Sequence, residues 1–319
     1  MQRPRRNFLA RMASRPLMQL ATMPAWCFPD RPRTSASKVS GVVPGFLLCF
    51  LLGISPAWGQ SVERPVRVVT LAPHITEMVY AAGAGTSLVG TVVSSDYPVA
   101  ARKLPKVGDG ASSVSVEKLA HLAPDLVLAW QETGVISAAA RSLQGLHIPV
   151  EYVAPGKLDD IPDQIQLLGK RLGTSLHADQ TAAKLRADLD ALRKHYAERP
   201  KVSVFIEIDD TPLYAVGNDV MLNDALRTCG GVNVFSDSPL AALPIGPEHI
   251  LHKHPDVIIV AQATPQREQQ AAARWAALGL DAGSGTRVSS IDPDTLFRPG
   301  PRFIEATQKL CEALETARR

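Results

Sequence analysis

A chain of 319 residues, 45% hydrophobic and 20% charged, has the make-up of a globular protein and room for two domains. Its formal charge of +3 misleads: residues 1–59 hold eight Lys or Arg against the single acid Asp30, and without them the chain carries about −4. That excludes a nucleic-acid binder argued from charge, and beyond residue 60 no run approaches the ~20 continuous apolar residues of a membrane helix.

The first segment reads as a leader. Residues 42–54 are an apolar run of the length of a signal-peptide core, and Ala57-Trp58-Gly59 is a small-x-small cleavage site, so a cut is expected after Gly59. Arg5-Arg6-Asn7-Phe8-Leu9 resembles a twin-arginine signal, but no good apolar core follows it directly. Residues 1–37 therefore read better as an extension ahead of the signal. Cys49 stands in LLCF without the small residue that a lipid anchor needs.

From residue 66 strand and helix signals alternate. RVVTLAP (67–73) is a β-branched run closed by Pro, and HITEMVYAAGAG is a helix stopped by glycines. SLVGTVV (87–93) predicts a second strand and SDYP a loop. Residues 116–122 predict a short helix ended by Ala123-Pro124, 125–130 a strand, 135–146 a helix and 150–153 a strand. Short connections between these elements imply an α/β lobe with a mostly parallel sheet over 66–155. Two amphipathic helices follow at 161–172 and 176–199, the second about 30 Å long and able to span a lobe. Residues 200–319 repeat the alternation, with strands at 201–208, 257–260 and 287–292 and helices at 222–228, 267–278 and 303–317.

One pattern occurs twice. VSVEKLAHLAPDLVLAW (114–130) returns as IGPEHILHKHPDVIIVA (245–261), matching Glu117 with Glu248, His121 with His252, Pro124 with Pro255 and Asp125 with Asp256 at an offset of 131 positions. Solenoid repeats have periods of about 20–50 residues, so this spacing suits one copy per lobe. Each glutamate falls in the first turn of a short helix, where its charge complements the dipole for about 0.3–1 kcal/mol. Their symmetric placement also suits docking on basic residues of a two-fold symmetric partner.

A catalytic constellation is missing from the pattern: there is no GxSxG, HExxH, Walker loop, GxGxxG after a strand, or CxxC. No metal site is expected, since His252 and His254 read as solvated histidines at a helix end. An exported enzyme using the cleft is the remaining reading from a different class. Ligands favour clefts between lobes, at loops following strand C-termini. Those loops hold Pro73, His74, Asp96, Tyr97 and Trp130 in the first lobe, and Phe297, Arg298 and Arg302 in the second. The aromatics could face a flat organic ligand. His74 could ligate a metal centre or cap its helix, and capping is the preferred reading. Beyond the leader two cysteines remain, Cys229 before a Gly-Gly turn and Cys311 on the apolar face of the last helix. They fit one disulfide, or two buried thiols.

TLAPHITEMVYAAGAG, SDYP, LPKVGDGASSVSVEKLAHLAPDLVLAW, the CGG at 229–231, LPIGPEHILHKHPDVII and DTLFRPGPR (294–302) together resemble the periplasmic substrate-binding proteins of the helical-backbone class, most nearly the vitamin B12-binding subunits of ABC importers. The resemblance covers nearly the whole chain beyond the leader. It implies two α/β lobes joined by a long helix, a monomer in the periplasm, and a Cys229–Cys311 disulfide. Glu117 and Glu248 would dock on arginines of the two permease subunits, and Trp130 and 294–302 would meet the ligand. Such binders carry a tyrosine at the position of Ser94 and tryptophans in the loop matching 108–111, near Ala242 and at Thr295, all replaced in this chain. The implied ligand is cobalamin or a related corrinoid, with haem or a ferric chelate as the alternative.

Overall fold

The computed structural model describes residues 66–262 and 264–319; the leader and its cleavage site lie outside them. The chain enters through β1 (Val68–Thr70), α1 (Pro73–Ala81), β2 (Leu88–Gly90), α2 (Val116–Leu122), β3 (Leu126–Ala129), α3 (Gly134–Gly145) and β4 (Val150–Tyr152). These strands form a four-stranded, all-parallel sheet in the order β2-β1-β3-β4.

Two helices follow, α4 (Asp160–Leu172) and α5 (Ser175–Tyr196). Gly173 closes α4 in the left-handed region at φ 77°, and the chain turns back at once. A side chain on Gly169 would collide with the Cβ of Ala178, so this glycine lets α4 and α5 approach closely.

The second half contains β5 (Val202–Asp210), β6 (Leu213–Val216), α6 (Val220–Thr228), β7 (Gly231–Asn233), β8 (Ala242–Pro244), α7 (Pro247–Lys253), β9 (Val257–Ala261), α8 (Pro265–Ala277), β10 (Arg287–Ile291), α9 (Pro293–Leu296) and α10 (Pro301–Ala317). Its sheet runs β10-β9-β5-β6-β8, with β7 also on β5. The β5–β6 and β6–β8 pairs are antiparallel. Residues 211–212 turn β5 back into β6, so an antiparallel hairpin interrupts the expected strand–helix alternation of this half.

Strand alternation explains the continuous apolar runs. Val68, Leu126, Val257 and Ile259 face a core shared by both halves, while Val69, Val127, Ile258 and Val260 face cores on the outer sides of their sheets. All eight are fully buried, as strands covered on both faces require. The shared core runs without a break from Ile75 and Met78 through Ile161 and Leu189 to Leu226, Phe303 and Leu310. Cys229 and Cys311, fully buried within it, are joined in a disulfide between the end of α6 and α10.

The repeated sequence pattern is a repeated structure. Helices α2 and α7 end on Ala123 and His254, both non-glycine residues in the left-handed region at φ 43° and 45°. Each is followed by Pro, Asp and a strand. The aspartate reaches the backbone of the neighbouring strand: Asp125 accepts from the Arg67 N–H at 2.9 Å, and Asp256 from the Ser203 N–H at 2.7 Å.

Candidate functional site

The C-terminal ends of β1, β2 and β3 supply one wall of a cleft. Beneath it Thr70, Thr76, Thr91 and Ser95, all buried, form a hydroxyl cluster with oxygen separations of 2.7–2.9 Å. The cluster ties the loop carrying Asp96 and Tyr97 to β1, α1 and β2. Beside it Asp109 accepts from the N–H groups of Ala111, Ser112 and Ser113 at 2.7–2.9 Å, closing its loop on itself. The Ser112 hydroxyl and those backbone donors hold its carboxyl far below the usual carboxylate range. Gly110, at φ 80°, leaves no room for a side chain against the Leu71 carbonyl, which seats that loop on the end of β1.

The opposite wall comes from α9, α10 and the turn between them, and two arginines cross to the first half. Arg298 donates to Asp96 at 2.7 Å and to Asp294 at 2.6 Å. Arg302 donates twice to Glu77, at 2.8 and 2.6 Å, and lies 4.3 Å over the Tyr97 ring. Glu77 is 4% exposed; burial pushes its carboxyl up, against the pull of Arg302. For Asp96 burial also works upward, yet the Arg298 hydrogen bond and charge prevail and hold it low.

His74 does not cap α1. The N-cap position is Ala72, with no side-chain cap, and His74 is the second helical residue, 2% exposed. Its ring meets Trp130 edge-to-face at 4.9 Å, and its Nε2 has no hydrogen-bond partner. Burial, then the charge of Arg298, pushes its pKa down to about 3, so the imidazole is neutral.

Trp130 and Phe297 line the same cavity of about 380 Å³, together with Val220, Met221, Leu296 and Phe303. It is mostly apolar, draws walls from both halves, and lies at the low end of the ~300–1,000 Å³ of ligand sites. A larger depression of about 710 Å³ beside α7 has walls from the second half alone, so the smaller cavity is the better ligand candidate.

The cleft therefore gathers His74, Asp96, Tyr97, Trp130, Phe297, Arg298 and Arg302, with Pro73 half-buried at the start of α1. Glu117 and Glu248 stand apart from it, in the first turns of α2 and α7. Sequence reasoning missed Glu77, whose signal was a carboxylate inside the apolar run ITEMVY, and the hydroxyl cluster, whose members are scattered over 70–95.

The model of the family described as "Periplasmic binding protein" matches residues 68–295. The chain belongs to that family. A vitamin B12-binding protein of Pectobacterium carotovorum subsp. carotovorum (strain PC1) is 31% identical over 270 residues, covering 84% of this chain and 94% of the relative. The crystal structure of the periplasmic vitamin B12 binding protein of Vibrio cholerae superposes with a TM-score of 0.71 at 28% identity, covering 80% of this chain and 98% of that one. The periplasmic heme-binding protein BhuT, solved with two hemes, gives 0.67 at 25% identity over 79% and 99%. The fold is that of the class III periplasmic binding proteins. The family is one of binding proteins, and these three relatives are named for the ligands they bind rather than for a reaction.

Proposed function

We propose that this chain is the solute-binding component of an ABC importer, exported to the periplasm after cleavage near Gly59, and that it takes cobalamin or a related corrinoid into the cleft. The observation that carries this reading is the apolar cavity walled by Trp130 from one half and Phe297 from the other, in a chain 31% identical to a vitamin B12-binding protein. The functional units are a lobe over 66–155, connecting helices over 156–199 and a second lobe over 200–319. Pro73, His74, Asp96, Tyr97, Trp130, Phe297, Arg298 and Arg302 are the ligand-facing set. Glu117 and Glu248, on matching helices, dock a monomeric binding protein on two permease subunits.

Haem is the second reading, favoured by the likeness to BhuT with its two hemes. Calorimetric titration of residues 60–319 with cyanocobalamin, haemin and a ferric siderophore separates them. Sub-micromolar binding of cyanocobalamin supports the corrinoid reading. Tight haemin or siderophore binding without it moves the ligand to the second reading, and binding of none overturns the cleft assignment.

A further inference from the structure

The cavity between Trp130 and Phe297 has a charge pattern of its own. Among the described residues that wall it Asp219 alone is ionisable, with no Lys, Arg or His. Asn218 and Asp219 lead into the first turn of α6, whose residues Val220, Met221 and Leu222 also wall the cavity. A helix start favours anions through a partial charge of about +0.5. This chain fills that place with its own carboxylate: Asp219 Oδ1 accepts from the Leu222 N–H at 2.8 Å. The full negative charge outweighs the half charge of the dipole, so this end of the cavity is negative. The second oxygen, Oδ2, takes no hydrogen bond or ion pair among the described residues and remains an acceptor. The neighbouring cation does not reverse the sign. Arg298 follows Phe297, but Asp96 and Asp294 share it, one positive charge against two negative. The other polar walls are the neutral amides of Gln131 and Asn218, one from each half.

We propose that Asp219 sets the ligand specificity of this cavity. Its Oδ2 accepts a hydrogen bond from an uncharged N–H donor on the cargo, a primary carboxamide, and its charge turns away cargo that presents a carboxylate there. This rests on the reading of the cleft as the ligand site and narrows the cargo to molecules with amides at their edge. A cavity of about 380 Å³ takes an edge or a side arm of a large ligand, so discrimination falls on the groups carried at that edge. An amide and a carboxylate have nearly the same size and shape. Apolar packing against Trp130 and Phe297 therefore cannot tell them apart, whereas a charged acceptor can. The amide gains a hydrogen bond to a carboxylate; the acid meets a like charge and has no proton to offer.

The test uses residues 60–319 and two matched pairs of probes. One pair is cyanocobalamin, with carboxamides at its rim, and the tricarboxylate made by hydrolysing three of them. The other is haemin, with two propionates, and its diamide. Calorimetry at neutral pH gives the amide-to-acid affinity ratio within each pair. The amide form is expected to bind about tenfold or more tightly in at least one pair. Asp219→Asn keeps the helix cap, since Asn caps as well as Asp, and should bring that ratio to within about twofold. Each ratio is taken within one protein, so any loss of folded molecules cancels. Equal binding of the amide and acid forms, tighter binding of the acid, or a preference that survives Asp219→Asn overturns the proposal and leaves the cleft reading standing. Absence of binding for every probe overturns both.

Discussion

Arg302 of the second half is clamped on Glu77 of the first through two hydrogen bonds, at 2.6 and 2.8 Å, with the Glu77 side chain 3% and the Arg302 side chain 16% exposed. A desolvated pair of this kind gains little over a well-packed apolar pair, but loss of one partner strands a buried charge. Arg302→Ala is expected to cost about 3–5 kcal/mol in urea unfolding. Adding Glu77→Gln to it should recover part of that loss. A double variant as unstable as the sum of the single variants counts against the pairing.

His74 makes stability depend on pH with a definite sign. Its pKa falls from 6.5 to about 3 on folding, so the unfolded chain takes up the proton first. The stabilisation is complete above pH 6.5 and is lost as pH falls toward 3, by up to about 1.4 kcal/mol per pH unit. The groups facing the ring are Arg298 and Trp130; the first deepens the effect and the second does not titrate. His74→Gln should flatten the pH dependence of the melting temperature in that window, and an unchanged slope excludes the assignment.

Docking is tested by Glu117→Ala combined with Glu248→Ala. Both side chains lie outside the cleft, so ligand affinity should stay within about twofold while transport in reconstituted importer collapses. A tenfold loss of ligand affinity would falsify the docking role.

The disulfide spans 82 residues of sequence. In the chain-entropy model a loop of that length stabilises by about 4 kcal/mol. Cys229→Ala with Cys311→Ala should lower the denaturant midpoint accordingly, with ligand affinity retained by the fraction that stays folded. Equal midpoints for the double variant and the oxidised protein would show that the bond adds nothing.

Much of the fold was legible in the chain because the signals were local. Val257–Ala261 is all apolar because both its faces are covered, and Gly173 ends α4 because a left-handed residue is needed there. The repeat around Glu117 and Glu248 was legible too, and the structure puts each in the first turn of a matching short helix. The cleft was legible as a set of loops, but not as a set of partners. Arg298 meets Asp96 across 202 residues of sequence and Arg302 meets Glu77 across 225, distances over which no periodicity operates. His74 was misread because a polar residue near a helix start is usually a cap, whereas tertiary packing against Trp130 and Gly300 buries this one. The antiparallel strands β6 and β8 were missed because four- and three-residue strands barely exceed the noise of alternation.

The single core running from Ile75 to Leu310 has a bearing on how an importer could tell a loaded molecule from an empty one. Two separate bodies on a hinge can report occupancy by their spacing. In this chain any large change in the span between Glu117 and Glu248 would have to open apolar surface to water. If the two glutamates are the docking pair proposed above, a shared core of this kind would hold them as the fixed jaws of a gauge, at the same width with or without cargo. News of the cargo would have to travel by another channel, through the charge, shape and order of the cleft rim between them.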